Sequence, residues 1–346
     1  MHLRDELREL PKAELHQHID GALRPATAVE LAGEAGIALP TIEEARHRLV
    51  APAHCRDQAE LLTFFDLPIA LLQTSEALTR VTGELVEDLA AENVRYAELR
   101  WAPRLHLERG LSVDEVIGAV AAGISSTAAR LGADAPLIGL IVTAMRNHPP
   151  AANVRLADVA AAFGSPVVGF DLAGPEATYP APPHAAAFRA AEAGGLGLTA
   201  HAGEVPGPER IAEALDLGVR RIAHGVTTAD DPAMVALVRA RDVTLDLCPT
   251  SNVQAGVVPD LAAHPVARLH RAGVSVTIST DDRTVSDTTL TDELARTAEA
   301  HDLTDAELAA IALNAFRRAF APTGIMAPVR AAAEHAWGSW LDRDRG

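Results

Sequence analysis

The segment GLTAHAGE, residues 197–204, shows the pattern that decides the fold. A short run of apolar and β-branched residues stops at Gly203, and ionisable residues stand at its carboxyl end. Such a run, bounded by a turn residue, is typical of a buried β-strand. Seven other segments have the same form: ELHQHID (14–20), VRYAELRWAP (94–103), PLIGLIVTAM (136–145), PVVGFDLAG (166–174), RRIAHG (220–225), VTLDLCPTS (243–251) and VSVTISTDD (274–282). The sequence therefore predicts eight strands.

The segments between these strands have the composition of helices. Ser112 precedes VDEVIGAVAAGI, with Glu115 three residues further on, which is a capping-box pattern. Gly194 and Gly195 follow HAAAFRAAEA, where they would end a helix. Strands that alternate with helices indicate a parallel sheet, and eight of them close a (β/α)8 barrel. Because no Pro-rich or Ser/Gly-rich linker divides the chain, we expect residues 1–346 to form a single α/β domain of the TIM-barrel class.

Two segments are longer than a barrel crossover needs. Residues 22–92 follow the first strand and are expected to add helices over the mouth of the barrel, and the tail from residue 289 is predicted to be helical and to pack outside it. Within the first segment, Phe64 and Phe65 are either lid residues or ordinary helix-packing aromatics. A doubly wound open sheet is the main alternative fold, but a nucleotide-binding example would need a Gly-rich phosphate loop, which the sequence lacks.

The net charge and the cysteine count restrict the function. A formal net charge of −17 disfavours a nucleic-acid partner, which would need a basic face. The two cysteines, Cys55 and Cys248, cannot build a disulfide framework or a Cys-rich zinc site. The amino-terminal segment lacks the apolar stretch of a secretory signal, and no uncharged apolar run reaches the ~18 residues of a membrane span. We expect a cytoplasmic protein with no membrane partner.

Ionisable residues stand at the carboxyl ends of the predicted strands, where barrel enzymes keep their active sites. His16 and His18 lie two apart on the first strand, so both side chains point into the barrel. His-x-His alone is more often incidental than metal-binding, but another histidine (His201 or His224) and a carboxylate (Asp281 or Asp282) stand at the ends of further strands. Three imidazoles and one carboxylate leave a coordination position open, which is the pattern of a catalytic zinc ion.

Glu204, His224 and Asp282 also follow predicted strands. Gly203 predicts a turn from which Glu204 could reach back over the mouth as a proton donor, the alternative being a glutamate in a surface loop. Asp281 and Asp282 are adjacent and therefore point differently, so one could bind metal while the other faces substrate. The alternative is a pair of turn-forming or helix-capping aspartates. Their place at the end of the eighth strand favours the functional interpretation.

Four further residues have two interpretations each. Glu98 and Arg100, two apart on the second strand, are predicted to pair with each other inside the barrel, either in support of the mouth or as a buried structural pair. Ser251 and Asn252 follow the seventh strand. They either donate hydrogen bonds to the residues of the site or serve only in a turn.

Together the motifs resemble the adenosine deaminase family across nearly the whole chain. The matching segments stand in the family's order and are PKAELHQHIDGALRP, YAELRWAP, VVGFDLAGPE, TAHAGE, RIAHG, CPTSN and STDD. The resemblance implies a barrel that binds one zinc ion through His16, His18, His201 and Asp281. It also implies that the substrate is a small purine nucleoside whose 6-amino group is removed by hydrolysis.

The resemblance implies roles for the other residues as well. Glu204 would protonate the ring nitrogen N1, and His224 and Asp282 would orient and activate the attacking water. Gly174 would contact the purine through its backbone, and Asp20 would bind the 5′-hydroxyl of the sugar. The side chains and backbone expected at the substrate are therefore those of Asp20, Gly174, Asp282 and His18.

The sequence excludes two other metal-dependent designs. The cytidine-type zinc deaminases need H-x-E with P-C-x-x-C, which is absent. A binuclear amidohydrolase with a carboxylated lysine would need that lysine in the fourth strand, whereas the only lysine, Lys12, precedes the first predicted strand.

The sequence leaves more than one possibility for the substrate and for the class of activity. Free adenine, aminodeoxyfutalosine or another 6-substituted purine could replace adenosine, although Asp20, where the family's adenine deaminases often carry glutamate, favours a nucleoside. A catalytically silent nucleoside-binding relative and a hydrolase of a non-purine amide or phosphoester are the alternatives of other classes.

Overall fold

The computed structural model describes residues 2–343, and at its centre eight strands form a sheet in chain order. Every pair of neighbouring strands is parallel. The strands are β1 (Lys12–His18), β2 (Val94–Trp101), β3 (Leu137–Met145), β4 (Val167–Ala173), β5 (Gly197–Ala202), β6 (Arg221–His224), β7 (Thr244–Leu247) and β8 (Ser275–Ile278). Beyond β8, Asp281 N donates to His16 O at 3.0 Å and His18 N donates to Asp281 O at 2.7 Å. These bonds bring the last strand back to the first, so the predicted (β/α)8 barrel is confirmed and nearly closed.

Helices connect the strands and cover the barrel. They are α1 (Leu3–Glu9), α2 (Pro25–Ala35), α3 (Ile42–Leu49), α4 (Gln58–Leu62), α5 (Asp66–Leu71), α6 (Ser75–Ala91), α7 (Val113–Leu131), α8 (Pro150–Phe163), α9 (Ala185–Ala193), α10 (Glu209–Asp216), α11 (Pro232–Ala240), α12 (Pro249–Gln254), α13 (Val266–Arg271), α14 (Leu290–Ala300), α15 (Asp305–Arg318) and α16 (Thr323–Asp342). The predicted insertion after β1 is present as α2 to α5, ahead of the crossover helix α6. The predicted helical tail is present as α14 to α16.

The helix α7 begins as the sequence predicts and packs closely on α6. Ser112 Oγ accepts from Glu115 N at 3.3 Å, and the Glu115 carboxylate accepts from Ser112 N at 2.8 Å, which completes the capping box. A Cβ on Gly123 would lie 2.4 Å from the carbonyl oxygen of Thr79, so only glycine permits this helix contact. The α7 segment is long and apolar enough to cross a membrane. Core helices of soluble proteins also meet this criterion of length and mean hydropathy.

The interior of the barrel contains buried charged residues, and one predicted pair there is wrong. Glu98 pairs with Arg221 rather than with Arg100, and Arg221 Nε also lies 3.0 Å from Asp246. Arg100 instead contacts Asp171 at 3.4 Å. Residues two apart on a strand share a face but differ in height by roughly 6.6 Å. Each side chain therefore meets a partner from another strand at its own level of the barrel.

Lys12 lies at the end of the barrel opposite to the mouth. It is the first residue of β1 rather than a residue before it, which corrects the predicted boundary. Its ammonium donates to the carbonyl oxygens of Leu7 at 2.6 Å and Leu10 at 2.8 Å. Burial lowers the pKa of Lys12 to about 8. The only lysine of the chain is therefore bound by backbone carbonyl groups, far from the carboxyl ends of the strands. It cannot be the lysine that bridges two metal ions in a binuclear amidohydrolase.

Candidate active site

The carboxyl ends of the strands surround a cavity of about 310 Å³ at the mouth of the barrel. Its floor is made by side chains at the carboxyl ends of β1, β5 and β6 and just after β8, and its cover by residues of the insertion after β1. Both phenylalanines pack against the small apolar cluster that contains Leu61, but Phe65 also lines the cavity, with its ring centroid 6.3 Å from that of His18. The inserted helices therefore lie over the mouth as predicted, and of the two phenylalanines only Phe65 faces the cavity.

Four predicted side chains, from the ends of three strands, meet at the bottom of this cavity. His18 Nε2 lies 3.3 Å from both His16 Nε2 and His201 Nε2. Asp281 Oδ1 lies 2.9 Å from His16 Nε2 and 3.3 Å from His18 Nε2. Ligands about 2.0–2.1 Å from a tetrahedral ion stand about 3.4 Å apart, so these spacings match the edges of a single coordination sphere. The donor set therefore fits one metal ion.

His224 lies at the same cluster and offers a second possible grouping. His16, His201, His224 and Asp281 present donor atoms that all lie within 4.8 Å of one another. His224 Nε2, however, is 3.8 Å from the nearer Asp281 oxygen, whereas His18 Nε2 reaches Asp281 at 3.3 Å. The shorter contacts favour the set that contains His18.

The backbone is strained at two of these residues. His224 has a φ of +67° and Asp281 a φ of +65°, in the left-handed region that side chains other than glycine rarely adopt. A conformation of this kind costs of the order of 1–3 kcal/mol and persists where the surroundings enforce it. For Asp281 the surroundings are the two backbone bonds to β1, which turn its carboxylate toward the histidines.

The imidazoles of the cluster are oriented by buried carboxylates and amides. Asp171 Oδ2 lies 3.0 Å from His201 Nδ1, so the Nδ1 proton of His201 is held there and its Nε2 lone pair points to the cluster. Burial alone would raise the pKa of Asp171, but His201 and Arg100 hold it well below its usual range. Burial lowers the pKa values of His16 and His201, so both rings keep a lone pair at neutral pH.

The alternative roles for Ser251 and Asn252 are now distinguished. Ser251 Oγ donates to Asp281 Oδ2 at 2.7 Å, and Asn252 Nδ2 lies 3.1 Å from His224 Nδ1. Both residues belong to the short helix α12 that follows β7. They therefore support the site directly and do not serve only in a turn.

Glu204 lines the same cavity, with its Oε2 3.5 Å from His224 Nε2. The backbone turns at Gly203, which has a φ of +86°, as the sequence predicts. The Glu176 carboxylate accepts from Gly203 N at 2.7 Å and from Glu204 N at 2.9 Å, which fixes this turn. Burial, together with the charges of Glu176 and Asp281, raises the pKa of Glu204 well above its usual range. The raised pKa favours the protonated form of Glu204, which is the form that can act as an acid.

Gln58 on α4 contacts this carboxyl from above. Its Nε2 donates to Glu204 Oε2 at 2.6 Å, and its Oε1 accepts from Glu176 N at 3.4 Å. The sequence prediction missed Gln58, because a single glutamine on a short inserted helix has no pattern that marks it. It also missed Asp171 as a partner of His201, although a carboxylate in the middle of an apolar strand was a usable signal.

Two buried carboxyl oxygens of residues that line the cavity have no hydrogen-bond partner among the described residues. They are Asp20 Oδ1 and Asp282 Oδ1. Burial, followed by the charges of Asp281, Asp20 and Glu204, raises the pKa of Asp282 well above its usual range. A Cβ on Gly21 would lie 2.0 Å from Asp282 Oδ1, so the close approach of this loop requires glycine. Unpartnered buried oxygens at the wall of a cavity are the groups that a polar ligand satisfies.

Gly174 is the last of the predicted site residues. It follows β4, lines the cavity and has a φ of +106°. This conformation is available to glycine and leaves the backbone open to the cavity without a side chain in between.

Comparison with known proteins agrees with this arrangement. The family model described as Adenosine deaminase matches residues 11–330. The chain belongs to the adenosine deaminase family. It is 40% identical to an adenosine deaminase of Mycobacterium ulcerans over 334 residues, which cover 91% of this chain and 92% of that one. It is 38% identical to an adenosine deaminase of Enterococcus faecalis over 316 residues, which cover 91% and 93% of the two chains.

Solved structures of similar proteins have the same barrel. An adenine deaminase of Arthrobacter aurescens superposes with a TM-score of 0.87 at 30% identity, covering 96% of this chain and 99% of that chain. The N6-methyl-AMP deaminase of Arabidopsis thaliana gives a TM-score of 0.85 at 27% identity, covering 96% and 98%. An amidohydrolase of Burkholderia ambifaria with bound Zn gives 0.86 at 27% identity, covering 98% and 93%. The protein is a hydrolytic deaminase of the adenosine deaminase family, and its His/Asp cluster fits one metal ion.

Proposed function

We propose that this deaminase hydrolyses the 6-amino group of adenosine and deoxyadenosine, forming inosine or deoxyinosine and ammonia, with one zinc ion held by His16, His18, His201 and Asp281. The observation that carries the proposal is the cavity itself. It holds the cluster of metal donors, and Glu204, a carboxyl group whose pKa is raised well above its usual range, lies 3.5 Å from His224 Nε2. Zinc, when bound by such donors, lowers the pKa of water to about 7 and so supplies a nucleophile at neutral pH.

The chain's own residues then account for the proton transfers. The oxygen of water bonds to C6 of the purine, and the proton on Glu204 passes to N1, which takes up the displaced electron pair. His224 and Asp282 hold the attacking water from the metal side, and the backbone at Gly174 contacts the base. The bond between C6 and the amino nitrogen breaks, and ammonia leaves with one of the two protons of the water. The other proton of the water returns Glu204 to its acid form.

The lining of the cavity favours a nucleoside over a nucleotide. Relatives of known structure include a deaminase of N6-methyl-AMP and a complex with GMP. In this chain the lining residues within the described range 2–343 include Asp20 and Asp66 but no lysine or arginine. A phosphate carries about −1.5 to −2 charges at pH 7 and is recognised by arginine or lysine. A 5′-phosphate beside Asp20 would meet an unpaired carboxylate, so we propose that the uncharged 5′-hydroxyl is the group bound there.

The experiment is a comparison of kcat/KM for ammonia release from adenosine, deoxyadenosine, adenine, AMP and aminodeoxyfutalosine. We expect adenosine and deoxyadenosine to be the best substrates. AMP should have a kcat/KM lower by ~100-fold or more, because its phosphate would be repelled by Asp20 and the hydrogen bond to the 5′-hydroxyl would be lost. A factor of ~100 corresponds to about 2.7 kcal/mol. A higher kcat/KM for AMP, adenine or aminodeoxyfutalosine would contradict the nucleoside assignment.

The role of Glu204 is tested with the zinc-loaded Glu204→Gln variant. We expect it to keep its metal and to lose ~10²-fold or more in kcat, because the amide cannot donate a proton to N1. Metal content is measured alongside turnover, so that a loss of zinc is not mistaken for a loss of the acid. Unchanged turnover would remove the acid role.

A further inference from the structure

A buried chain of hydrogen bonds runs from the backbone of α13 to His224. Val266 N donates to His264 Nδ1 at 3.3 Å. His264 Nε2 lies 3.2 Å from Asn252 Oδ1, and Asn252 Nδ2 lies 3.1 Å from His224 Nδ1. The side chains of the three linking residues are at most 2% exposed, so solvent does not offer them other partners. We call this chain from Val266 through His264 and Asn252 to His224 the imidazole relay.

The direction of every bond in the imidazole relay follows from its first member. A backbone N–H can only donate, so His264 Nδ1 must accept. Burial lowers the pKa of His264 to about 3, so the ring is neutral at pH 7 and its single proton is on Nε2. That proton needs an acceptor, which places the amide oxygen of Asn252 toward His264. The Asn252 NH2 group is then turned toward His224.

The last bond determines which nitrogen of His224 is protonated. The Asn252 NH2 group donates, so His224 Nδ1 accepts with a lone pair and cannot itself carry a proton. The remaining nitrogen, His224 Nε2, faces the active site, 3.5 Å from Glu204 Oε2 and 3.8 Å from Asp281 Oδ2. Both neighbours are carboxyl oxygens, which suit a donor at this position.

We propose that His264 and Asn252 are positioning residues that hold His224 as the Nε2–H tautomer, so that His224 presents a hydrogen-bond donor to the attacking water instead of a metal-binding or proton-accepting lone pair. The kinetic part of this proposal rests on the proposed deamination, whereas the tautomer does not. The tautomer also decides between the two possible sets of metal ligands. With a proton on its Nε2, His224 has no lone pair there with which to bind a metal ion. His18 then completes the set, and Asp282 is left as the group that can accept a proton from the water.

The experiment is ¹⁵N NMR of the zinc-loaded protein with ¹⁵N-labelled histidine. The signals of His224 are assigned by their loss in His224→Gln. We expect its Nε2 to give a pyrrole-type, protonated signal in the unaltered protein. A pyridine-type or zinc-shifted Nε2 signal would overturn the proposal, and this measurement needs neither a substrate nor a variant of the relay.

Two sets of variants test the relay itself. Asn252→Asp keeps the shape but offers two acceptors, so the His224 proton should move to Nδ1 and kcat should fall by ~100-fold or more with a smaller change in KM. His264→Phe removes the donor that orients Asn252 and should give mixed tautomers, whereas His264→Gln can still donate to the Asn252 oxygen and should restore most of the pyrrole-type signal. His270→Phe, on the same helix α13 but outside the relay, is the matched control and should change neither readout.

The outcomes separate the relay from the proposed function. A pyrrole-type Nε2 that moves in Asn252→Asp supports the relay even if adenosine is not turned over. An Nε2 signal that stays pyrrole-type in folded Asn252→Asp and His264→Phe refutes the relay even if adenosine is an excellent substrate.

Discussion

The Asp171→Asn substitution tests how far the metal site depends on a residue that does not face the metal. In the native protein the Asp171 carboxylate lies 3.0 Å from His201 Nδ1, accepts from Thr143 Oγ1 at 3.3 Å and contacts Arg100 at 3.4 Å. All three of these contacts are made by Oδ2, and Oδ1 lies 3.2 Å from the same His201 Nδ1. An amide of the same shape has one oxygen and one NH2 group. In either orientation the NH2 group of the amide therefore lies beside the N–H of His201, which loses one acceptor position and the charge of the carboxylate.

The expected size of the effect follows from the loss of this support. Replacing a group that orients a metal-bound histidine typically weakens metal binding by about 10–100-fold, or about 1.4–2.7 kcal/mol. At a free zinc concentration above both Kd values the stabilisation by zinc falls by the same amount. A chain of 346 residues has an unfolding entropy of about 0.73 kcal/mol per kelvin, so the Tm of the zinc-loaded protein should fall by about 2–4 °C.

The measurement is a zinc titration in competition with a chelator of known affinity, combined with thermal unfolding with and without zinc. Asp158→Asn makes the same chemical change on the exposed side of α8 and serves as the control. The reasoning is wrong if folded Asp171→Asn binds zinc within threefold of the native affinity. It is also wrong if the Tm falls equally with and without zinc, because the carboxylate would then stabilise the barrel and not the metal site.

Three other substitutions test the remaining parts of the site. Asp281→Ala should lower the zinc content of the purified protein, since a carboxylate ligand is lost, and full occupancy would contradict ligation. Asp20→Ala should reduce kcat/KM for adenosine more than for adenine, and equal losses would show that Asp20 does not meet the sugar. Gln58→Met keeps the length of the side chain but removes the donor to Glu204, so kcat should fall by roughly tenfold. In the Glu204→Gln background it should have little further effect, and independent losses would show that Gln58 does not act through Glu204.

The sequence was sufficient for the barrel and for the location of the site. Strands show a period of two and end at turn residues, so both their number and their carboxyl ends can be read from a few neighbouring residues. His16, His18, His201 and Asp281 were predicted to meet because each stands at such an end, and in a parallel barrel all these ends lie at one mouth. The capping box at Ser112 and the turn at Gly203 are equally local.

Only the tertiary structure decided which buried groups bind one another. Glu98 bonds to Arg221, not to Arg100, because each level of the barrel interior is filled from several strands. Gln58 reaches Glu204 because the insertion folds back over the mouth, across 146 residues of chain. His264 orients His224 through Asn252 because the loop before α13 is hydrogen-bonded to α12, and α12 to the end of β6. Local sequence specifies where a strand ends and which side chain it carries there. The partner of a buried charge or amide depends on distances between remote elements, and those exist only once the barrel has closed.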